Sequence, residues 1–104
     1  MIDLTDANWE PILAAGRPVF VQFWAAWCGP CRVLRPIVET LAGHFGRKAT
    51  FARLDVDANP AACERLHVSA IPTVMLFVPG REPLRLVGIQ SEAALARMVY
   101  RALE

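Results

Sequence analysis

Apolar residues along the chain alternate between two spacings, and the changes of spacing mark the elements. Ile2 to Leu4 reads as a short strand, after which Thr5 or Asp6 is placed to cap a helix running to about Ala15. Pro11 suits that helix only in its first turn, and Gly16 and Pro18 end it. Val19 to Trp24 is a β-branched and aromatic run interrupted only by Gln22, as expected of a strand covered on both faces and therefore central in its sheet. From Cys28 the spacing becomes helical. Leu34, Ile37, Val38, Leu41 and Phe45 share one face, Pro36 predicts a kink, and Gly43 and Gly46 mark the end.

Thr50 to Val56 is the next strand, and Asn59-Pro60 opens a short helix to about Leu66 with proline in its first turn. Thr73 to Val78 and Leu84 to Gly88 are two further strands, separated by Pro79-Gly80-Arg81-Glu82, a turn short enough to require an antiparallel hairpin. Pro83 has no N–H for a ladder, which puts the last strand at the sheet edge. Ser91 then caps a helix whose apolar stripe is Leu95, Met98, Val99 and Ala102. The order β-α-β-α-β-α-β-β-α predicts an α/β fold: parallel strands joined by helical crossovers, a hairpin, and a mixed sheet with helices on both faces.

Composition narrows the class without naming a partner. The 104 residues suit one compact domain spanning 1–104, and 55% hydrophobic against 20% charged residues is too apolar for disorder. No apolar run approaches the ~18 residues needed to cross a bilayer. The opening MIDLTDANWEP has neither the basic nor the apolar region of a secretory signal, so a cytoplasmic location is the expectation. The formal net charge is +1 and the arginines are scattered from Arg17 to Arg101, which leaves no footprint for nucleic acid or an anionic membrane.

The chemistry concentrates at Cys28-Gly29-Pro30-Cys31. Three cysteines without a secretory context do not suggest a stapled scaffold. Cys28, Cys31 and His44 match the first three ligands of a zinc finger, but His67 lies too far on to be the fourth, and no second Cys-x-x-Cys exists. No metal or bound cofactor is therefore expected. Redox chemistry fits better, because Cys28 falls at a helix start, where unpaired N–H groups and about half a positive charge favour an anion. The thiolate is that anion and the nucleophile. Lowering a cysteine pKa by about one unit takes roughly 1.4 kcal/mol, within reach of the dipole and one or two hydrogen bonds. Cys31, one turn on, is within bonding reach and can resolve what Cys28 starts. Pro30 fixes φ at the helix start, and Gly29 keeps the approach open for a second protein's disulfide. The other reading is a structural pair that merely falls close together.

With Trp27-Cys28-Gly29-Pro30-Cys31, Phe23-Trp24, Pro36, Asp57, Ile71-Pro72-Thr73, the Pro79-Gly80 turn and Gly88, the chain resembles the thioredoxin family over essentially its whole length. The resemblance implies a thioredoxin fold, a mixed five-stranded sheet flanked by four helices, with Pro72 in a cis peptide facing the sulfurs. It implies a monomeric protein-disulfide reductase: Cys28 attacks a substrate disulfide, Cys31 frees the reduced substrate, and an NADPH-dependent thioredoxin reductase restores the pair. Oxidases and isomerases usually carry another dipeptide between the cysteines, often with histidine, and a secretory signal. Trp27, Val56, Ala70, Ile71, Pro72, Val87, Gly88 and Ile89 would line the apolar substrate surface, with the Ile71 backbone pairing an extended segment. Core packing is the alternative, above all for Val56 and Val87. Asp57 is placed to accept the Trp27 indole N–H, or else to cap the helix at Asn59-Pro60.

Gln22 departs from the family, which usually places there a buried aspartate credited with deprotonating the resolving thiol. An amide takes no proton at neutral pH. Arg53 stands where the family often has lysine, so acid and base partner have both changed. General-base help is worth ~10²- to 10⁴-fold, which sets the ceiling on a slower or retuned resolution; the alternative is that Gln22 only hydrogen-bonds buried groups. Cys63 matches no motif and is either a packing residue or a modifiable thiol. From a different functional class, the rim around Trp27 and Pro72 could serve a protein-binding module whose redox activity is secondary.

Overall fold

The computed structural model describes residues 1–104. In chain order the elements are β1 (Ile2–Leu4), α1 (Trp9–Leu13), β2 (Val19–Trp24), α2 (Gly29–Phe45), β3 (Thr50–Asp55), α3 (Pro60–Arg65), β4 (Thr73–Phe77), β5 (Leu84–Val87) and α4 (Glu92–Ala102). The strands form one mixed sheet in the order β1-β3-β2-β4-β5. β3 runs parallel to both β1 and β2, whereas β4 is antiparallel to β2 and to β5. As the apolar run and Pro83 predicted, β2 is central and β5 is an edge.

The near-continuous apolar character of β2 follows from its two covered faces. Phe20 joins Leu34, Val38 and Leu41 of α2 and Leu95 and Val99 of α4 in one core. Val19, Val21 and Phe23 join a second core on the opposite face, against which Trp9, Ile12 and Leu13 of the α1 segment pack and to which Ala62 and Cys63 of α3 belong. The strand thus serves two cores with alternate residues. β4 repeats the arrangement, with Val74 and Leu76 on the first face and Met75 on the second. α2 continues through Pro36 to Phe45. Ser91 accepts the Ala94 N–H and caps α4 as expected.

The first helix differs from its expectation. It begins at Trp9, not after Thr5 or Asp6, and ends at Leu13. Residues 5–8 make a turn instead, in which the Thr5 carbonyl accepts from Asn8 and Trp9 while the Asn8 Oδ1 accepts the Thr5 N–H at 2.7 Å. Pro11 then falls in the first turn, where its missing N–H costs nothing. Asp6, freed from α1, caps another helix: its carboxylate accepts the N–H groups of Ala62 at 2.7 Å and Ala61 at 3.4 Å, at the start of α3. Asn59 precedes that helix but does not cap it; its side chain accepts the Asp6 N–H and donates to the Asp55 carbonyl. The strands β3, β4 and β5 each stop one residue short of the expected end. For β5 the cause is Gly88, whose φ of +91° leaves the extended region.

Replacing Asp6 by alanine should leave two α3 donors without their acceptor and cost about 1 kcal/mol. Urea unfolding is expected to show a lower midpoint with an unchanged m-value, and Asp6→Asn should recover part of the loss.

Candidate active site

β2 ends at Trp24, and a tight turn closed by the Cys28 N–H on the Ala25 carbonyl at 3.1 Å delivers Cys28 to the start of α2. Cys28 is the N-cap, with φ −87° and ψ 102°, and its Sγ accepts the Cys31 N–H at 3.2 Å. The two cysteines form a disulfide with Cα atoms 5.3 Å apart. Each is only 3% exposed. Pro30 occupies the first turn, leaving fewer amides to be satisfied there, and the space around Gly29 is open. A helix start aimed at a sulfur stabilises negative charge on it when the bond is broken.

The opposite wall comes from the segment before β4. The Ile71-Pro72 peptide is cis. The Pro72 carbonyl, in the peptide that follows, accepts the Gly88 N–H at 2.8 Å, and Thr73 Oγ1 donates to the Ala70 carbonyl at 2.6 Å. Ile71 packs with Val56 and Trp24 against Ala25, Cys28 and Cys31. The backbone N–H and C=O of Ile71 make no hydrogen bond within the chain.

The residues expected to form an apolar surface here differ in exposure. Trp27 is 69% exposed, and Val87 and Ile89 are more than half exposed, so Val87 is no core residue. Ala70 is also exposed, Val56, Ile71 and Gly88 are half-buried, and Pro72 is buried. The Trp27 indole Nε1 donates to Asp57 Oδ2 at 2.7 Å, which fixes the ring over the turn. Asp57 caps nothing at α3, since Asp6 holds that position.

Gln22 lies beneath Cys31, 2% exposed, and its Nε2 donates to the Cys31 carbonyl at 3.2 Å. A cavity of about 220 Å³ opens there, lined by Gln22, Trp24, Cys31 and the arginines 32, 35 and 53, with no carboxylate among its walls. Arg53 is the neighbour of Gln22 across the β2–β3 pair. Its Nε donates to Asp3 Oδ1 at 2.6 Å and its guanidinium lies 5.6 Å from the Trp24 ring centre. Asp3 escaped the sequence reading; its only signal is the β1–β3 register, which places it directly beside Arg53. The Trp24 indole N–H is buried without a partner.

Two remaining candidates sit apart. His44, in the last turn of α2, and His67 belong to no group of side chains arranged to hold a metal ion. Cys63 is buried on α3 in the second core, and burial, reinforced by Asp6 and Asp55, pushes its thiol above the usual range. It is a packing residue rather than a reactive one. No helix is long and apolar enough to cross a membrane.

Comparison with known proteins agrees with this geometry. A family model described as Thioredoxin matches residues 1–101. The thioredoxin of Alicyclobacillus acidocaldarius is 41% identical over 101 residues, covering 97% of this chain and 96% of that one. A bifunctional thioredoxin reductase/thioredoxin of Mycobacterium leprae is 42% identical over 97 residues, covering 92% of this chain and 21% of that protein. Among solved structures, chloroplastic thioredoxin z superposes with a TM-score of 0.88 at 26% identity, covering 98% of this chain and 93% of that one.

In the reduced protein, iodoacetamide near neutral pH should label Cys28 and spare Cys63 until denaturant is added. The raised Cys63 pKa favours the protonated thiol in the folded state. That contribution to stability is intact below the unfolded-state pKa and is lost as pH rises from there through the folded value. The decline above about pH 9 should be smaller in Cys63→Ala, measured by urea unfolding across that range.

Proposed function

The chain belongs to the thioredoxin family, and on that premise we propose how its residues divide the work of disulfide reduction. The protein is a thiol-disulfide oxidoreductase, and the pair that carries the activity is Cys28 and Cys31. Cys28 is the nucleophile. Its thiolate attacks one sulfur of a substrate disulfide, forming a mixed disulfide and releasing the other substrate sulfur as thiolate. Cys31 then attacks the Cys28 sulfur, which frees the second substrate thiolate and leaves the Cys28–Cys31 disulfide. Two electrons pass from the protein's dithiol to the substrate.

The observation that carries this assignment is the Cys31 N–H directed at the Cys28 Sγ from the first turn of α2. The same donor that holds the oxidised sulfur favours the thiolate once the bond is cut. Cys31 sits over Gln22, which holds its carbonyl, and its N–H is spent on the Cys28 sulfur, an arrangement that suits Cys31 to the resolving role. Trp27, Val87 and Ile89, exposed beside the disulfide, form with Val56, Ala70, Pro72 and Gly88 the surface that receives the substrate. The unpaired Ile71 amide and carbonyl suit an extended substrate segment. Asp57 positions Trp27, while Gly29 and Pro30 set the open first turn.

Electrons return from a disulfide reductase. The family is reduced by thioredoxin reductase, and the Mycobacterium leprae relative carries reductase and thioredoxin in one chain; for this protein we assign an NADPH-dependent reductase as donor. Residues 1–104 act as one monomeric unit, in the cytoplasm.

Gln22 and Arg53 set the resolving step. With an amide holding the Cys31 carbonyl and no carboxylate in the cavity, the Cys31 proton leaves to water, so resolution is slower or differently pH-dependent than with an acid at that position.

Dithiothreitol-driven reduction of insulin tests the scheme. The native protein should turn over, Cys28→Ser should be inactive, and Cys31→Ser should accumulate a mixed disulfide visible by mass; turnover by Cys28→Ser would refute it. Separately, Gln22→Asp should change the pH profile of single-turnover resolution, accelerating it by at most ~10²- to 10⁴-fold. Superimposable profiles would show that position 22 does not govern the step.

A further inference from the structure

Arginines that the sequence scatters are gathered by the fold. Arg81, Arg85, Arg97 and Arg101 line a groove of about 590 Å³ between β5 and α4, faced by a single acid, Glu82. Arg85 shares the lining but sends its guanidinium to the α3 side of the sheet, onto the carbonyls of Leu66 and His67. Arg81, Arg97 and Arg101 against Glu82 therefore leave two net positive formal charges, against +1 for the whole chain. The groove's charge is not cancelled internally, because both ion pairs of the protein, Arg35–Glu39 and Arg53–Asp3, lie elsewhere. Arg81 donates to the Ala102 carbonyl. A neutral acceptor holds this guanidinium in place and leaves its charge available. Arg97 and Arg101, one turn apart and exposed on α4, make no side-chain hydrogen bond within the chain.

The floor of the groove is apolar, with Leu84, Leu86 and Met98. Leu84 is exposed, and β5 is the outermost strand, so one backbone edge is unpaired. The groove also runs into the site already described. Its Gln90 end lies against the Val87 carbonyl, to which Gln90 Nε2 donates at 3.1 Å, and Gly88 beside it is bonded to Pro72.

We propose that this groove is a second docking site for the disulfide-bearing partner, taking an acidic segment with apolar anchor residues that flanks the partner's cystine. The proposal rests on the function assigned above and adds the chemistry that selects among substrates. A nucleic acid would match the charge but leave the apolar floor and the open strand edge unused. A second copy of this chain, docking through the same patch about a two-fold axis, would bring arginine against arginine. An acidic peptide uses all three features. Arginine suits the task because its planar fork meets carboxylates in pairs.

The test is fluorescence anisotropy with labelled peptides that lack cysteine: one alternating Glu and Leu, one with Gln for Glu, and one with Lys for Glu. At low salt the native protein should bind the acidic peptide about tenfold more tightly than the neutral one. That preference should vanish by about 0.5 M salt, a measurement that needs no variant. In Arg97→Glu with Arg101→Glu it should turn toward the Lys peptide. Equal binding of acidic and neutral peptides, or a preference that survives charge reversal, overturns the proposal. So does tighter binding of a single-stranded oligonucleotide, or self-association that displaces the peptide. A protein that binds the acidic peptide yet reduces no disulfide refutes the function above. One that reduces insulin but ignores peptide charge refutes the groove.

Discussion

The fold and the chemistry meet in one hydrogen bond, from the Cys31 amide to the Cys28 sulfur. It exists because a strand buried on both faces stops at Trp24 and a long helix starts five residues later. Neither element is free to slide. β2 is paired on both sides, and α2 is fastened by Leu34, Val38 and Leu41, each buried side chain worth about 1.5–3 kcal/mol. That packing is far larger than the ~1 kcal/mol of a single cap, so the core dictates where the helix begins and the sulfur receives the amide as a consequence. Gln22 adds a direct tie between the two elements by holding the Cys31 carbonyl from the floor of the sheet.

What the sequence made legible was local or strongly patterned. The two-faced run at β2, the apolar stripe of α2 and the short turn before Pro83 each follow from spacing over a few residues, and the run and Pro83 suffice to place β2 centrally and β5 at an edge. The site itself was legible because Cys28 and Cys31 sit at the junction of two such patterns, whereas the cis bond at Pro72 came only through family resemblance. What escaped was set by partners distant in sequence. Asp6 looks like a cap for the helix after it and instead caps α3, because β1 lies beside β3 and carries the following turn to that helix. Asp3 reaches Arg53 through the same pairing. The arginines read as scattered because β5 and α4 come together only after the hairpin has formed.

An amide at position 22, where the family resemblance implies a buried acid, alters two effects of opposite sign. A buried carboxylate can accept a proton from the resolving thiol, yet when ionised it also disfavours a thiolate beside it. Gln22 does neither. It satisfies the Cys31 carbonyl without the desolvation cost that an ionised group would carry in a site 2% exposed. Arg53, in turn, has no carboxylate at position 22 to face and finds Asp3 at the sheet edge and the Trp24 ring instead. The substitution and the outward pairing of the arginine thus form one consistent arrangement rather than two independent changes.

Reactivity and partner choice are consequently built on different ground. The sulfurs lie against Ala25, Ile71, Val56 and Trp24, the arginines 32, 35 and 53 line the cavity beneath Cys31, and the acid of the rim, Asp57, is occupied by the Trp27 indole. A formal charge at that rim would act on every substrate and on the thiolate alike. The arginines between β5 and α4 line a groove whose walls include neither cysteine, and solvent screens exposed charges over about 10 Å. The docking proposed for that groove acts on which partners arrive, and the thiolate is left to the helix that holds it.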